Sequence, residues 1–208
     1  MSHYFTTPAD QAGRHEVRAA IWGRTYTLLS SSGVFSANRL DPGTAVLLKL
    51  TDPPADRPAR FLDLGCGYGP ITIGLAASCP QARIDAIDSN RRALELTREN
   101  ADRLGVGAQV ATFAPEQAPE AAYDEIWSNP PIRIGKPALH QLLTVWLGRL
   151  APHGQATMVV AKNLGADSLT DWLATQGWAV ARLGSSQGFR VLRVSMDTAS
   201  TSAGPVLT

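Results

Sequence analysis

From residue 60 onward, short apolar runs alternate with segments whose apolar residues recur every three or four positions. Runs of the first kind predict strands, and segments of the second kind predict helices. Strands are expected at 61–64, 83–87, 109–113, 123–127, 156–161, 178–183 and 189–195, with helices at 71–78, 91–104, 138–150 and 168–176. This alternation predicts an α/β fold with a doubly wound, mostly parallel sheet of seven strands that ends in an antiparallel pair.

The pattern before residue 56 is less regular. Apolar positions between Glu16 and Leu29 mix helix and strand spacing, Ser30–Gly33 interrupts them, and a short helix is expected at 44–48 with Thr44 as its cap. We interpret residues 1–55 as an extension that packs on the core and covers one edge of the sheet. Residues 56–197 would form the main domain, and 198–208, rich in Ser, Thr and Ala, a flexible tail.

Composition and charge exclude several classes of protein. The 208 residues are 44% hydrophobic and 18% charged, as is usual for a globular domain. The net charge of +1 gives no overall signature of nucleic-acid binding, so any such binding must come from a local patch. The two cysteines and four histidines show no disulfide or metal-ligand spacing. Without a signal pattern or a membrane-spanning stretch, a cytoplasmic location is expected, with no metal.

The most distinctive stretch is Asp63-Leu64-Gly65-Cys66-Gly67-Tyr68-Gly69-Pro70, between the first core strand and its helix. Its glycines permit a tight turn and the close approach of a ligand. Pro70 suits the first position of a helix, where an N–H is not needed. The loop should therefore present unpaired N–H groups at a helix start to the negative or polar end of a ligand. We expect a nucleotide-type cofactor, although a purely structural turn is the alternative.

Polar residues also follow the second and fourth strands, and ligands of such sheets bind beyond the carboxyl ends of the strands. Asp88 ends the second strand, at the place where an acid can hold the hydroxyls of a ribose; a helix cap is its alternative role. Asn129-Pro130-Pro131-Ile132 follows the fourth strand. The glycine pattern differs from the G-x-G-x-x-G of dinucleotide enzymes and is weak on its own.

Asn-Pro-Pro at this place resembles the class I S-adenosylmethionine-dependent methyltransferases that methylate a planar amide or an exocyclic amine. The similarity includes Gly33-Val34-Phe35-Ser36, Leu40–Thr44, Ser128–Arg133 and Gly188–Leu192, and covers roughly residues 1–196. These segments are most similar to the small-subunit ribosomal RNA guanine-N2 methyltransferases. The resemblance implies a Rossmann-like methyltransferase fold, S-adenosylmethionine as cofactor, and RNA as partner, either ribosomal RNA or a small ribosomal subunit.

The resemblance also assigns site residues. It implies cofactor binding by Asp63, Gly65, Cys66, Gly67, Gly69, Asp88, Ser89, Asn90, Thr112 and Phe113. It implies catalytic roles for Asn129, Pro130, Pro131 and Ile132, and substrate contacts for Phe35, Arg133 and Lys136. The end of the third strand lacks the acid or Asn with which many relatives read adenine, although Glu116 could reach back. Phe35 could instead be a core aromatic, and Arg133 a solvated arginine.

The chemistry of the target explains the motif. An exocyclic amine is a poor nucleophile because its lone pair is delocalised into the ring. The Asn129 side-chain oxygen and the Pro130 carbonyl can each accept one of its N–H groups, which favours a pyramidal nitrogen. Together with this chemistry, the resemblance implies methyl transfer to a nucleobase amine in RNA, namely guanine N2 of 16S ribosomal RNA.

Two other functions stay open at this level. One is methylation of a protein glutamine amide, against which Ile132 argues, since such enzymes usually have an aromatic residue there. The absence of an extended N-terminal helical domain argues in the same direction. The other is a cofactor-binding module without catalysis, against which the intact Asn129-Pro130-Pro131 argues.

Overall fold

The computed structural model of the chain describes residues 13–131 and 134–196. Its central feature is a seven-stranded sheet with the order β5-β4-β3-β6-β7-β9-β8. The strands are β3 (Ala59–Leu64), β4 (Ala82–Ile87), β5 (Val110–Phe113), β6 (Tyr123–Ser128), β7 (Leu150–Ala161), β8 (Trp178–Ser186) and β9 (Phe189–Met196). Strands β3 to β7 pair in parallel, and β9 pairs antiparallel with both β7 and β8. The predicted fold class is confirmed.

Among the described residues, five α-helices flank the sheet: α1 (Pro42–Lys49), α2 (Pro70–Ser78), α3 (Arg91–Arg103), α4 (Lys136–Leu147) and α5 (Ala166–Thr175). The helix expected over 138–150 ends early, at Leu147. Leu150 begins β7 instead, because it pairs with Tyr123 of β6 before a register shift in that strand pair. Strand β7 is therefore longer than its apolar run at 156–161 suggests, and its first half is mostly exposed or half-buried.

An antiparallel hairpin precedes the sheet, in the region where the sequence pattern was ambiguous. It consists of β1 (Arg14–Ile21) and β2 (Arg24–Ser31), joined by Trp22 and Gly23. Both joining residues have positive φ, 42° and 77°, as a two-residue turn that matches strand twist requires. The hairpin contacts helices α1, α2 and α3, and the Trp22 ring meets Trp127 of β6 edge to face, 5.4 Å between centroids.

The sheet buries apolar side chains on both faces. Phe61, Trp127, Val159 and Val191 belong to the core beneath the hairpin, α1 and α2, while Leu62, Ile126 and Leu192 belong to the core shared with α4 and α5. Within the residues described, no helix is long and apolar enough to cross a membrane.

The strand order explains where a ligand can bind. From β3 the chain moves outward through β4 and β5 and then returns to β6, on the other side of β3. The connections from β3 and β6 therefore leave the sheet in opposite directions, which opens a crevice beyond their carboxyl ends. The glycine loop after Leu64 and the Asn129 segment after Ser128 meet at this crevice, because Leu64 and Ser128 are register partners.

Candidate active site

The loop of residues 65–69 connects β3 to α2 through three left-handed glycines. Gly65, Gly67 and Gly69 have φ of 79°, 59° and 93°, which a residue with a side chain rarely adopts. A Cβ added to Gly67 would meet nothing within 4 Å, and one added to Gly65 would meet only the Asn129 carbonyl oxygen, at 3.8 Å. The backbone of the loop therefore faces open space, so a ligand can approach it more closely than side chains would allow.

Most N–H groups of the loop are already paired, which the sequence did not predict. Gly65 N and Cys66 N both donate to the Ile87 carbonyl, at 2.8 and 3.0 Å. Gly67 N donates to Asp88 Oδ2 at 2.9 Å, and Gly69 N donates to the Cys66 carbonyl at 3.0 Å. The prediction of a loop with unpaired donors was wrong for these four groups, because the Ile87 carbonyl, the Asp88 side chain and the loop's own Cys66 carbonyl accept their hydrogen bonds. The loop therefore gives a ligand room to approach its backbone, but these four N–H groups are not free to donate hydrogen bonds to it.

Asp63 lies beneath this loop and is completely buried. Its Oδ2 accepts hydrogen bonds from Thr72 N (2.9 Å) and Thr72 Oγ1 (2.6 Å), which fixes the first turn of α2. Burial raises the pKa of the Asp63 carboxyl to about 7, although the bonds from Thr72 act in the opposite direction. Asp63 is not among the residues that line the cavity described below. Its contribution to cofactor binding stays a prediction, and its observed contacts support the turn.

A dependence of stability on pH follows from Asp63. Its pKa is raised in the folded state, so its favourable contribution is complete below the unfolded-state pKa and is lost as the pH rises to about 7. We expect the Asp63→Asn variant, which cannot ionise, to lack this decline. Urea unfolding of both proteins between pH 4 and 8 measures the difference in unfolding free energy. Parallel profiles for the two proteins would contradict the assignment.

Asp88 connects the end of β4 to the glycine loop. Its Oδ2 accepts from Gly67 N, and its Oδ1 accepts from Asn90 N at 2.8 Å. The cap of α3 is Asn90, whose side chain accepts from Arg92 N, so the alternative of Asp88 as the helix cap is not realised. Ser89 is exposed beside them. Since a carboxylate oxygen can accept more than one hydrogen bond, Asp88 retains capacity for hydroxyl groups.

Asn129 follows β6, and its carboxamide is held by helix α1. Its Nδ2 donates to Asp41 Oδ1 at 2.7 Å and to Thr44 Oγ1 at 3.0 Å. Asp41 is also the N-cap of α1, because the same Oδ1 accepts from Thr44 N at 3.0 Å. The expectation that Thr44 caps this helix was therefore wrong, since Pro42 supplies the first helical position. Pro130 is buried and Pro131 exposed, while Ile132 and Arg133 lie outside the described residues.

These segments line one cavity that is open to solvent. Among the residues predicted for the site, those that line it are Phe35, Gly65, Cys66, Gly67 and Asn129. The side chain of Phe35 is 66% exposed, so its alternative role as a core aromatic was wrong. Cys66 is buried, and burial raises the pKa of its thiol, which keeps it neutral in a wall of the cavity.

Four residues named in the sequence analysis do not line this cavity. Thr112 lines a surface groove along α3, and Phe113 packs on the core of the opposite sheet face, although its carbonyl accepts from Asp88 N at 3.4 Å. Lys136 is exposed at the start of α4, in a separate hollow that it shares with Ser168. Glu116 is exposed, and no structural contact brings it to the cavity. Roles for these residues in binding therefore stay predictions.

Sequence reasoning missed three residues that organise this site. Asp41 and Thr44 lie in a segment that was interpreted as a turn before a helix capped by Thr44, and no contact of either residue with Asn129 was predicted. Asn100 joins the hairpin to the glycine loop by bonds to Leu29 and Tyr68. The sequence feature that could have indicated Asn100 is its position four residues after Leu96, which places a polar side chain on the apolar face of a helix.

The residues 25–193 match the family described as "Methyltransferase small domain". The chain belongs to this family. Uncharacterized protein YbxB of Bacillus subtilis is 30% identical over 196 residues, 92% of this chain and 96% of that protein. Ribosomal RNA small subunit methyltransferase C of Hahella chejuensis is 32% identical over 80% of this chain and 48% of its own length. Release factor glutamine methyltransferase of Thermosynechococcus vestitus is 31% identical over 76% of this chain and 57% of its own length.

A solved structure shows the same fold. The 16S rRNA N2 methyltransferase RsmC of T. thermophilus, in complex with AdoMet and guanosine, superposes with a TM-score of 0.71. Its sequence is 23% identical, and the match covers 89% of this chain and 51% of the other. Like the Hahella relative, it is about twice as long as the matched region. At this level of identity the superposition concerns the fold.

As a member of this methyltransferase family, the protein is an S-adenosylmethionine-dependent methyltransferase. Its cavity fits that cofactor in one testable respect: the glycines at 65 and 67 leave the backbone bare at its wall, where a Cβ would project into it. Among the residues that line this cavity, Asp41 is the charged one, and a carboxylate suits a cationic sulfonium better than a basic side chain would. Across residues 13–131 and 134–196, no cluster of three His, Cys, Asp or Glu side chains could hold a metal ion.

Proposed function

We propose that this protein transfers a methyl group from S-adenosylmethionine to an exocyclic amine of a nucleobase in RNA, namely guanine N2 of 16S ribosomal RNA. The observation that carries the proposal is the meeting of Asn129 and the glycine loop in one cavity. Asn129 can accept an N–H of an amine that must become pyramidal, and the glycine loop leaves room for the methyl donor. The relatives named for ribosomal RNA methylation support the choice of substrate.

The residues act by positioning. Asn129 Oδ1 and the Pro130 carbonyl each accept one N–H of the target amine, which turns its lone pair out of conjugation. Proline fixes its own φ, so two consecutive prolines hold that carbonyl in place. When bound, the cofactor would supply an electrophilic methyl group to the amine lone pair and would leave as the neutral thioether, while the amine nitrogen would give up one proton to water. Orientation rather than a strong base accounts for the rate.

The cofactor-binding residues are proposed from the same cavity. Gly65, Cys66 and Gly67 would contact the methionine part through their backbone, and Asp88, beside Gly67, would take the ribose hydroxyls. Asp88 is half-buried and acidic, which suits a neutral diol better than a phosphate. Gly69 starts α2 and shapes the loop from behind, as Asp63 does through Thr72.

Phe35 is proposed as the residue that contacts the target base. An aromatic ring with 66% of its surface exposed, at the edge of a cavity, is an open stacking platform. Stacking of a base on an aromatic side chain contributes about 1–3 kcal/mol. In the sequence, Ile132 stands where adenine-N6 and glutamine methyltransferases of this type usually have an aromatic residue, so Phe35 would supply the ring instead. Contacts by Arg133 and Lys136 stay predictions.

A second candidate, methylation of a protein glutamine amide, has one observation in its favour. The relative named release factor glutamine methyltransferase matches 76% of this chain. A primary amide presents the same two N–H groups as an exocyclic amine, so Asn129 and Pro130 could hold either. The substrates differ in what surrounds the nitrogen, and an open aromatic such as Phe35 favours a flat base.

One experiment separates these substrates. The protein is incubated with S-adenosylmethionine labelled in its methyl group and with separate pools of deproteinised ribosomal RNA, intact small subunits and ribosome-free protein. We expect label in RNA, in the free form or in the subunit, and N2-methylguanosine after nuclease digestion. Label confined to protein would overturn the RNA assignment, and another methylated nucleoside would overturn the guanine assignment.

A further inference from the structure

We propose that Asp41 is a positioning residue for methyl transfer, which holds the Asn129 carboxamide in its productive orientation. The inference deepens the proposed function and rests on it, because it names the group that makes the key acceptor effective. Asp41 is the N-cap of α1 and is far from Asn129 in sequence. Its Oδ1 accepts a hydrogen bond from Asn129 Nδ2 (2.7 Å), which joins the start of the helix to the Asn-Pro-Pro segment.

The chemistry of Asp41 decides which way the amide faces. An ionised carboxylate only accepts hydrogen bonds, so the atom 2.7 Å from Asp41 Oδ1 must be the amide nitrogen. Thr44 Oγ1 accepts from the same nitrogen at 3.0 Å. Both N–H groups of the amide are therefore directed at α1. The oxygen is forced to the other side, where no described residue donates a hydrogen bond to it.

Asp41 is itself fixed from two further directions. Its Oδ1 accepts from Thr44 N at 3.0 Å as the cap of α1. Gly43 lies so close that an added Cβ would be 2.9 Å from Oδ1 and 3.0 Å from the Phe189 ring. The carboxylate has little freedom to turn away. A hydrogen bond to a charged acceptor is about twice as strong as a neutral one, and it polarises the amide so that its oxygen becomes a better acceptor.

The test compares substitutions that separate capping from positioning. Ser at position 41 keeps a helix cap but is too short to reach Asn129, whereas Asn keeps both the cap and an acceptor oxygen. We expect Asp41→Ser to lower kcat by about 10- to 100-fold, the loss of one charge-assisted hydrogen bond, with KM for RNA and the cofactor Kd within about threefold of wild type. We expect Asp41→Asn to recover part of the rate, because its amide oxygen can still accept from Asn129 Nδ2 but carries no charge. Asp52→Ser removes the same charge from an exposed position outside the site and should match wild type.

A second readout does not depend on activity. The side-chain amide signals of Asn129, assigned by ¹H–¹⁵N spectroscopy, should shift and broaden in Asp41→Ser and stay near wild type in Asp41→Asn. An unshifted Asn129 amide, or an unchanged kcat in Asp41→Ser, would overturn the positioning role. If wild type methylates none of the substrate pools, the proposed function fails, while the amide signals still decide how Asn129 is held.

Discussion

Replacing Asn129 by Ala is expected to lower the rate of methyl transfer by about 100- to 1,000-fold, the range for one preorganised hydrogen-bonding group removed from a transition state. The substitution removes the oxygen proposed to accept an N–H of the target amine. It leaves the cap of α1 in place, because Asp41 still accepts from Thr44 N. It also leaves the glycine loop unchanged, so binding of S-adenosylmethionine should stay near wild-type affinity.

Three measurements check this expectation together. Single-turnover transfer of labelled methyl gives the chemical rate, calorimetry gives the cofactor Kd, and thermal unfolding shows that the fold is intact. Asn129→Gln retains an amide but displaces it by one methylene group, so it should lose most of the rate as well. Asn163→Ala, an exposed position after β7, is the matched control. Wild-type rates in Asn129→Ala would exclude the proposed role of the Asn129 oxygen.

The architecture could be predicted from the sequence because the core strands carry a signal that is independent of distant contacts. β3 and β4 each have four apolar residues among six, as is usual for strands buried on both faces. The hairpin was harder to predict, since its turn is Trp22-Gly23 rather than a common turn pair. Its packing depends on a small residue elsewhere: a Cβ on Gly74 of α2 would be 2.6 Å from Ile21.

The sequence predicted Asn129 and the glycine loop as parts of the candidate site, but it did not predict the side chains that hold them in place. Asn129 and the glycine loop follow strands, and strand ends can be located from sequence. What holds them cannot, because Asp41, Thr44 and Asn100 act through contacts with residues distant in sequence. The donor pattern of the loop was wrong for the same reason. Whether an N–H is free depends on its neighbours, here the Ile87 carbonyl and the Asp88 side chain.

Replacing Asn100 by Leu is expected to lower the free energy of unfolding by about 3 kcal/mol, because it removes three hydrogen bonds, two with the backbone of half-buried Leu29 and one with the carbonyl of buried Tyr68. Asn100 is 1% exposed on α3. Its Oδ1 accepts from Leu29 N at 2.7 Å, and its Nδ2 donates to the carbonyls of Leu29 and Tyr68, both at 2.9 Å. Since Leu29 belongs to the hairpin and Tyr68 to the glycine loop, the effect should reach the cavity and weaken cofactor binding too.

Urea unfolding followed by circular dichroism measures the loss, and calorimetry measures the cofactor Kd. Glu95→Leu is the matched control, because it places the same side chain at an exposed position on the same helix and should change stability by at most about 0.5 kcal/mol. Equal stability of the two variants would contradict the role given to Asn100. A destabilised Asn100→Leu protein with an unchanged cofactor Kd would show that the hairpin contact, through Leu29, matters more than the contact with Tyr68. The joint loss of stability and affinity is expected because one amide holds both segments, so neither can shift without the other.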